Sequence, residues 1–295
     1  LALITGILAL SLSSLFVRWA DAPGTVTSFY RMLIAALILT PVALRQKPFQ
    51  GKLDPRVFYL PLLGGFFTAL DHAVWSTAIG YTKVANATLL NNLAPIWVAL
   101  VAWILFRERL KPIFWLGLLF TMAGATVVLG NDLIQEPGLS RGDLLGVISS
   151  IFYAGYFLIT QRGRQRFNTL TYVWMICSVS AVVLLMINLG RGLPLTGYSA
   201  PTYLAFLGSA LISQIIGYFS VGYALGHLSA SLVAPTMIAQ PVLTALLAIP
   251  LVGEQLQTGQ WIGGIAVLSG IYLVNHSRNS EELPAIKTPV DVSLV

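Results

Sequence analysis

The chain has 295 residues, 56% of them hydrophobic and only 9% charged, with a net charge of +6 and a mean hydropathy of +0.79. A soluble domain carries roughly a quarter of its residues as charges. None of this length has enough interior to bury so much apolar sequence, so lipid must be the solvent for most of it. The basic residues stand in short clusters between apolar runs, which makes them topology signals and excludes a nucleic-acid surface.

A helical crossing takes about 20 apolar residues. Such runs lie at 2–20, 26–44, 57–79, 84–106, 112–130, 142–161, 169–190, 202–225, 230–251 and 257–276. They predict an all-α membrane protein with ten transmembrane helices. The first run has no small-residue cleavage pattern and is read as a span, not a signal peptide. Leu1 already lies inside it, so the chain is expected to be trimmed there. The connections are short and punctuated by Pro and Gly, as at Ala22-Pro23-Gly24, Gly80 to Lys83 and Gly226-His227. The single Cys177, in the seventh run, excludes an intrachain disulfide and a multi-cysteine metal site and is read as a small core residue. The segment 277–295 is a polar tail containing Pro284 and Pro289.

Arg45, Lys47, Lys52, Arg56, Arg107, Arg109, Lys111, Arg162, Arg164, Arg166, Arg278 and Lys287 all fall on one side of a ten-span chain. The opposite loops hold chiefly Lys83, Arg141 and Arg191, with Asp132, Glu136 and Asp143. The excess of Lys and Arg marks the cytoplasmic side. Both termini are therefore expected in the cytoplasm, and the chain in a bacterial inner membrane.

Residues 78–128, shifted by 146, align without a gap on 224–274. The shift brings Gly80 onto Gly226, Pro95 onto Pro241, Glu108 onto Glu254, Trp115 onto Trp261, Gly117 onto Gly263 and Gly124 onto Gly270. Shared hydrophobicity does not align Pro, Glu, Trp and Gly at one offset. The expected units are a first five-helix repeat at 1–130 and a second at 142–276. Because five is odd, the second enters the membrane from the opposite side. Such inverted repeats recur in secondary transporters, with the substrate near the midplane between the halves.

Polar groups inside spans are costly in hydrocarbon and mark function by default. Asp71 and His72 sit in the third span with Trp75 one turn on, which suits an amphipathic or ammonium-bearing substrate. The alternative is that Asp71 pairs with Arg31 or His72 to hold helices together. Asn91 and Asn92 precede Pro95, which leaves the Asn91 carbonyl without its helical donor and sets up a kink. Pro241, with Pro235 and Gln240, repeats that device. The three prolines are candidate hinges and the amides candidate ligands, or simple interhelical glue. Gln214 and Tyr218 share a face of the eighth span, and Tyr218 is the repeat counterpart of His72. Tyr153 and Tyr156 of the sixth span complete the candidate substrate-binding set. Arg31 is expected to pair structurally, with binding of a substrate carboxylate as the alternative, and Tyr30 and Trp19 are expected to anchor at the interface.

The run Ala85-x-x-Thr88-x-Leu90-x-x-Leu93-x-Pro95, then Leu100, resembles the fourth helix of the EamA-type drug/metabolite transporters. Glu108, Leu110, Trp115, Gly117 and Gly124 complete that resemblance. It recurs at Ser231, Pro235, Pro241, Leu246, Glu254, Leu256, Trp261, Gly263 and Gly270. Within this superfamily the chain looks most like the YddG-type exporters of aromatic amino acids, also linked to paraquat efflux. The resemblance implies ten helices, two inverted five-helix repeats and export from the cytoplasm. The copies differ at Asn91 and Asn92, which align with Met237 and Ile238, so the site need not be symmetric.

The expected function is alternating-access export of amino acids with aromatic or other apolar side chains and related amphipathic metabolites. Efflux of cationic compounds is an alternative. So is nucleotide-sugar or organic-phosphate antiport, which calls for several midplane cations where only Arg31 is evident. Reactive and metal-ligand motifs are absent from the sequence, as is a Walker motif, so neither an enzyme nor an ATP-driven pump is expected. No cofactor is expected. The partners expected are the small-molecule substrate and the bilayer, with the chain read as a monomer.

Overall fold

The computed structural model describes residues 1–13, 16, 19–46, 55–82, 84–129, 140–252 and 258–279. Lys47, Lys52, Lys83, Asp132, Glu136, Glu254, Leu256 and Lys287 lie outside them. All regular structure among the described residues is helical. We number the helices α1 (Ala2–Ser11), α2 (Gly24–Ala43), α3 (Tyr59–Ala78), α4 (Val84–Asn91), α5 (Ala94–Ile104), α6 (Pro112–Leu129), α7 (Arg141–Arg164) and α8 (Thr169–Gly190). The next span comprises α9 (Ala200–Gly208), a π segment (Ser209–Tyr218) and α10 (Phe219–Leu225), followed by α11 (Ala230–Thr236), α12 (Ala239–Val252) and α13 (Thr258–Asn279).

Among the described residues, six stretches are long and apolar enough to cross a membrane: Gly24–Ala43, Pro55–Ala78, Ala87–Ile104, Arg141–Arg164, Thr169–Gly190 and Ala200–Leu225. The first, fifth and ninth expected crossings contain the shorter apolar helices Ala2–Ser11, Pro112–Val127 and Ala230–Thr244. The tenth falls on α13. Helix starts follow local chemistry. Ser140 and Asp143 form a capping box at α7, and the Asn168 side chain accepts from Thr171 N–H at α8, each such cap contributing about 1 kcal/mol.

The helix pairing obeys the repeat. The third expected span, α3, packs on α7, the sixth; its exchanged counterpart is the packing of the π segment and α10 on α1. The second and seventh spans (α2, α8) and the fifth and tenth (α6, α13) form pairs that exchange into themselves.

The last of these pairs fixes the relative direction of the halves. A Cβ added to Gly117 would lie 2.8 Å from the Gly270 carbonyl oxygen, and one added to Gly124 would lie 2.6 Å from that of Gly263. The repeat turns Gly117 into Gly263 and Gly270 into Gly124, so each contact is the image of the other. Going up α6 runs down α13: the two helices are antiparallel about a local two-fold axis. Glycine is required here because backbone meets backbone. The outer faces carry exposed Leu116, Leu119, Phe120, Ile262, Ile265 and Leu268, an apolar surface suited to lipid.

Both helices expected to kink are broken. The fourth span is interrupted at Asn92 and Leu93, between α4 and α5, and the ninth at Met237 and Ile238, between α11 and α12. Pro95 lies in the first turn of α5, where its missing N–H is tolerated. The two breaks fall within one residue of equivalent positions in the repeat.

Candidate functional site

The centre of the molecule joins α3, α4 and α7 from one side to α2, α8 and the π segment from the other. Asp71 and His72 are both buried on α3, at 6% and 8% exposure. A carboxylate in this environment needs donors. Asn91 Nδ2 supplies one at 2.8 Å from Asp71 Oδ1, and Ser149 Oγ of α7 supplies another at 3.0 Å. Asn91 Nδ2 also donates to Ser149 Oγ, closing a three-residue knot. Asn91 is the last residue of α4, so the break in the span places its amide there.

A second polar group stands across from the first. Arg31 of α2 donates from Nε to Gln214 Oε1 at 3.0 Å and from Nη1 to Ser13 Oγ at 3.3 Å. Gln214 Nε2 donates to Cys177 Sγ of α8 at 3.3 Å. The Arg31 guanidinium lies 5.1 Å from the centre of the Tyr218 ring, a cation–π geometry. Arg31 and Asp71 are therefore not directly bonded. Each is held by neutral partners.

Aromatic rings connect the two groups. The Tyr218 ring lies 6.3 Å from His72 and 5.5 Å from Tyr156, both edge-on. Tyr153 stacks near Tyr156 at 6.1 Å. Trp97 of α5 packs against the same cluster and donates to Ser150 Oγ at 2.8 Å. The π segment contributes Ser213, Gln214 and Tyr218, all buried on its inner side. Its wider i→i+5 turn keeps positions 209, 213, 214 and 218 buried together; such π turns are frequent at functional sites.

The structure thus brings together Asp71, His72, Asn91, Gln214, Tyr218, Tyr153 and Tyr156. It does not gather every expected residue. Asn92 folds back on Thr88 O of its own helix at 2.9 Å. Gln240 donates to Leu10 O at 3.1 Å and its own carbonyl accepts from Ser11, so it ties the ninth span to the first. Trp75 is half-buried further along α3, with no ring partner among the described residues. Pro235 is buried within α11, and Pro241 lies in the first turn of α12. Tyr30 donates to Leu195 O at 2.5 Å and stacks on Phe206, which fastens the loop before α9. Glu108 joins span ends by accepting from Ser231 Oγ at 2.7 Å.

Sequence reasoning missed Ser149, Ser150 and Trp97. The available signal was a hydroxyl doublet inside an apolar run, which alone is indistinguishable from ordinary packing.

A helical protein with two broken helices, an antiparallel repeat and a buried polar centre invites comparison with known transporters. The EamA-like transporter family model matches residues 1–130 and again 140–276. The chain belongs to the EamA-like transporter family. Among its relatives is an uncharacterized transporter of Clostridium kluyveri, 23% identical over 84% of this chain and 82% of that one. The uncharacterized transporter YwfM of Bacillus subtilis is 23% identical over 89% of both chains. A WAT1-related protein of Arabidopsis thaliana is 24% identical over 91% of this chain and 81% of its own. A solved crystal structure superimposes with a TM-score of 0.78 at 19% identity, covering 95% of this chain and 98% of the other, and so shares the fold. As an EamA-type membrane transporter the chain works on a small molecule in a bilayer, and its central polar groups acquire a reason to be buried.

Proposed function

We propose that the chain exports amino acids with aromatic or other apolar side chains, and related amphipathic metabolites, from the cytoplasm by alternating access. The observation that carries this reading is the placing of Asp71, held by Asn91 and Ser149, next to His72, whose ring meets Tyr218 in the cluster with Tyr156 and Tyr153. A carboxylate beside aromatic faces suits a molecule with an ammonium group and an apolar side chain. The breaks before Pro95 and Pro241 supply a hinge in each half, and the two-fold relation of the halves supplies the exchange of outward-open and inward-open forms. In this reading the chain crosses a bacterial inner membrane ten times, with both termini in the cytoplasm, and works as a monomer. It belongs with the exporters of aromatic amino acids.

The test is uptake of labelled Phe, Trp, Thr and a nucleotide sugar into proteoliposomes, with and without a pH gradient. Saturable uptake of Phe and Trp, but not of the nucleotide sugar, is expected. Uptake of the nucleotide sugar alone would replace the substrate class.

A further inference from the structure

Two buried nitrogens at the centre have no hydrogen-bond partner among the described residues. They are Arg31 Nη2 and His72 Nε2. Arg31 is only 6% exposed, yet its bonds run to the neutral groups Gln214 and Ser13. A guanidinium carries five N–H donors, and leaving one arm bare in a dry interior is costly. An arginine that served only to join helices would be expected to meet a carboxylate or to saturate its donors on carbonyls. This one does neither. Gln214 is itself fixed from behind by Cys177, so its oxygen holds Nε and leaves the Nη2 arm in a set direction. The Tyr218 ring is a neighbour of both, its centre 5.1 Å from the guanidinium carbon and 6.3 Å from the imidazole. Ser213 Oγ, next in sequence to Gln214, is also buried without a partner.

We propose that Arg31 and His72, both neighbours of the Tyr218 ring, form an anion subsite that receives the carboxylate of the transported molecule. Arg31 Nη2 donates to one carboxylate oxygen and His72 Nε2–H to the other, and the apolar side chain lies along Tyr218 and Tyr156. Gln214 is a positioning residue that orients the guanidinium. The subsite deepens the amino-acid reading and rests on it: Asp71, adjacent to His72 on α3, takes the ammonium, so each group of a zwitterion is read by a group of opposite polarity. A positive residue in the membrane thereby gains its counter-charge from the cargo itself.

The test compares ligands lacking one group at a time. Purified wild type, Arg31→Gln, Arg31→Lys and Asp71→Asn are titrated in detergent with Phe, 3-phenylpropionate (no ammonium) and phenethylamine (no carboxylate). Binding is followed by thermal shift, and Phe uptake is measured in proteoliposomes. Arg31→Gln is expected to weaken Phe and 3-phenylpropionate by about tenfold or more, as befits one charge-assisted contact, and to leave phenethylamine within about twofold. Asp71→Asn is expected to weaken Phe and phenethylamine and spare 3-phenylpropionate. Arg31→Lys keeps the charge without the fork and should fall between; if Arg31→Gln does not fold, Arg31→Lys carries the comparison. Equal weakening of all three ligands by the Arg31 variants, or of none, overturns the subsite. Phe transport that is insensitive to Arg31 sinks the subsite and leaves the amino-acid reading standing. Binding of 3-phenylpropionate that depends on Arg31, without any uptake of Phe, sinks that reading and leaves the subsite.

Discussion

Asn91 Nδ2 donates to Asp71 Oδ1 at 2.8 Å from the last residue before the helix break in the fourth span. The bond joins the one acidic side chain at the centre, among the described residues, to the end of a broken helix. Any change in the angle between α4 and α5 must carry the Asn91 amide toward or away from the carboxylate.

Asp71→Asn should therefore fold. Its amide oxygen can still accept from Asn91 and Ser149, while the charge is gone. Transport is expected to fall by about tenfold or more, with melting temperature near that of wild type. Asp71→Ala differs because it strands the Asn91 amide in the interior, at a cost of about 1–3 kcal/mol. Proteoliposome uptake beside thermal melting in detergent separates the two. Wild-type transport by well-folded Asp71→Asn would remove Asp71 from the site.

Pro95→Ala restores an N–H that can donate to the Asn91 carbonyl and so favours a continuous fourth span. The expected result is a lower turnover with little change in the concentration for half-maximal uptake, since no ligand group is lost. Pro241→Ala should act the same way in the other half. A fall in affinity without a fall in turnover would count against a hinge.

Gly124→Ala pushes a methyl to within 2.6 Å of the Gly263 carbonyl, a neighbour that is backbone and cannot rotate away. Destabilisation of about 1–3 kcal/mol is expected, from overpacking. Gly117→Ala should cost a similar amount, because its contact is the symmetry image. Gly190→Ala is the control: nothing lies within 4 Å of its added methyl, and a change within about 0.5 kcal/mol is expected. Thermal melting of the three variants decides whether the α6–α13 contact is as close as described.

Cys177 is fully buried, and its sulfur accepts from Gln214. It should resist a membrane-permeant maleimide in the folded protein and react once the protein is unfolded, as read by intact mass. Rapid labelling in the native state would show that the region behind Gln214 opens to solvent.

The sequence was sufficient for the membrane environment, because hydrocarbon demands about 20 apolar residues per crossing and the chain supplies them in runs. It was sufficient for the repeat, because Pro, Gly, Trp and Glu recur at one offset, and for the helix breaks, because Pro lacks the N–H a helix needs. It placed Asp71, His72, Asn91, Gln214 and Tyr218 in spans. It could not say which would meet, since a polar residue in a span is the same letter whether it faces a neighbour, its own helix or a cavity. Asn91 and Asn92 are adjacent and identical, yet one bonds Asp71 and the other Thr88 O, because successive helical positions point to different sides. The π turn that gathers Ser213, Gln214 and Tyr218 has no sequence signature. Arg31 read as half of an ion pair; the tertiary structure gave it two neutral partners and left one arm free. Local chemistry set the elements, and only their packing decided which polar groups share a space and which of them still lack a partner.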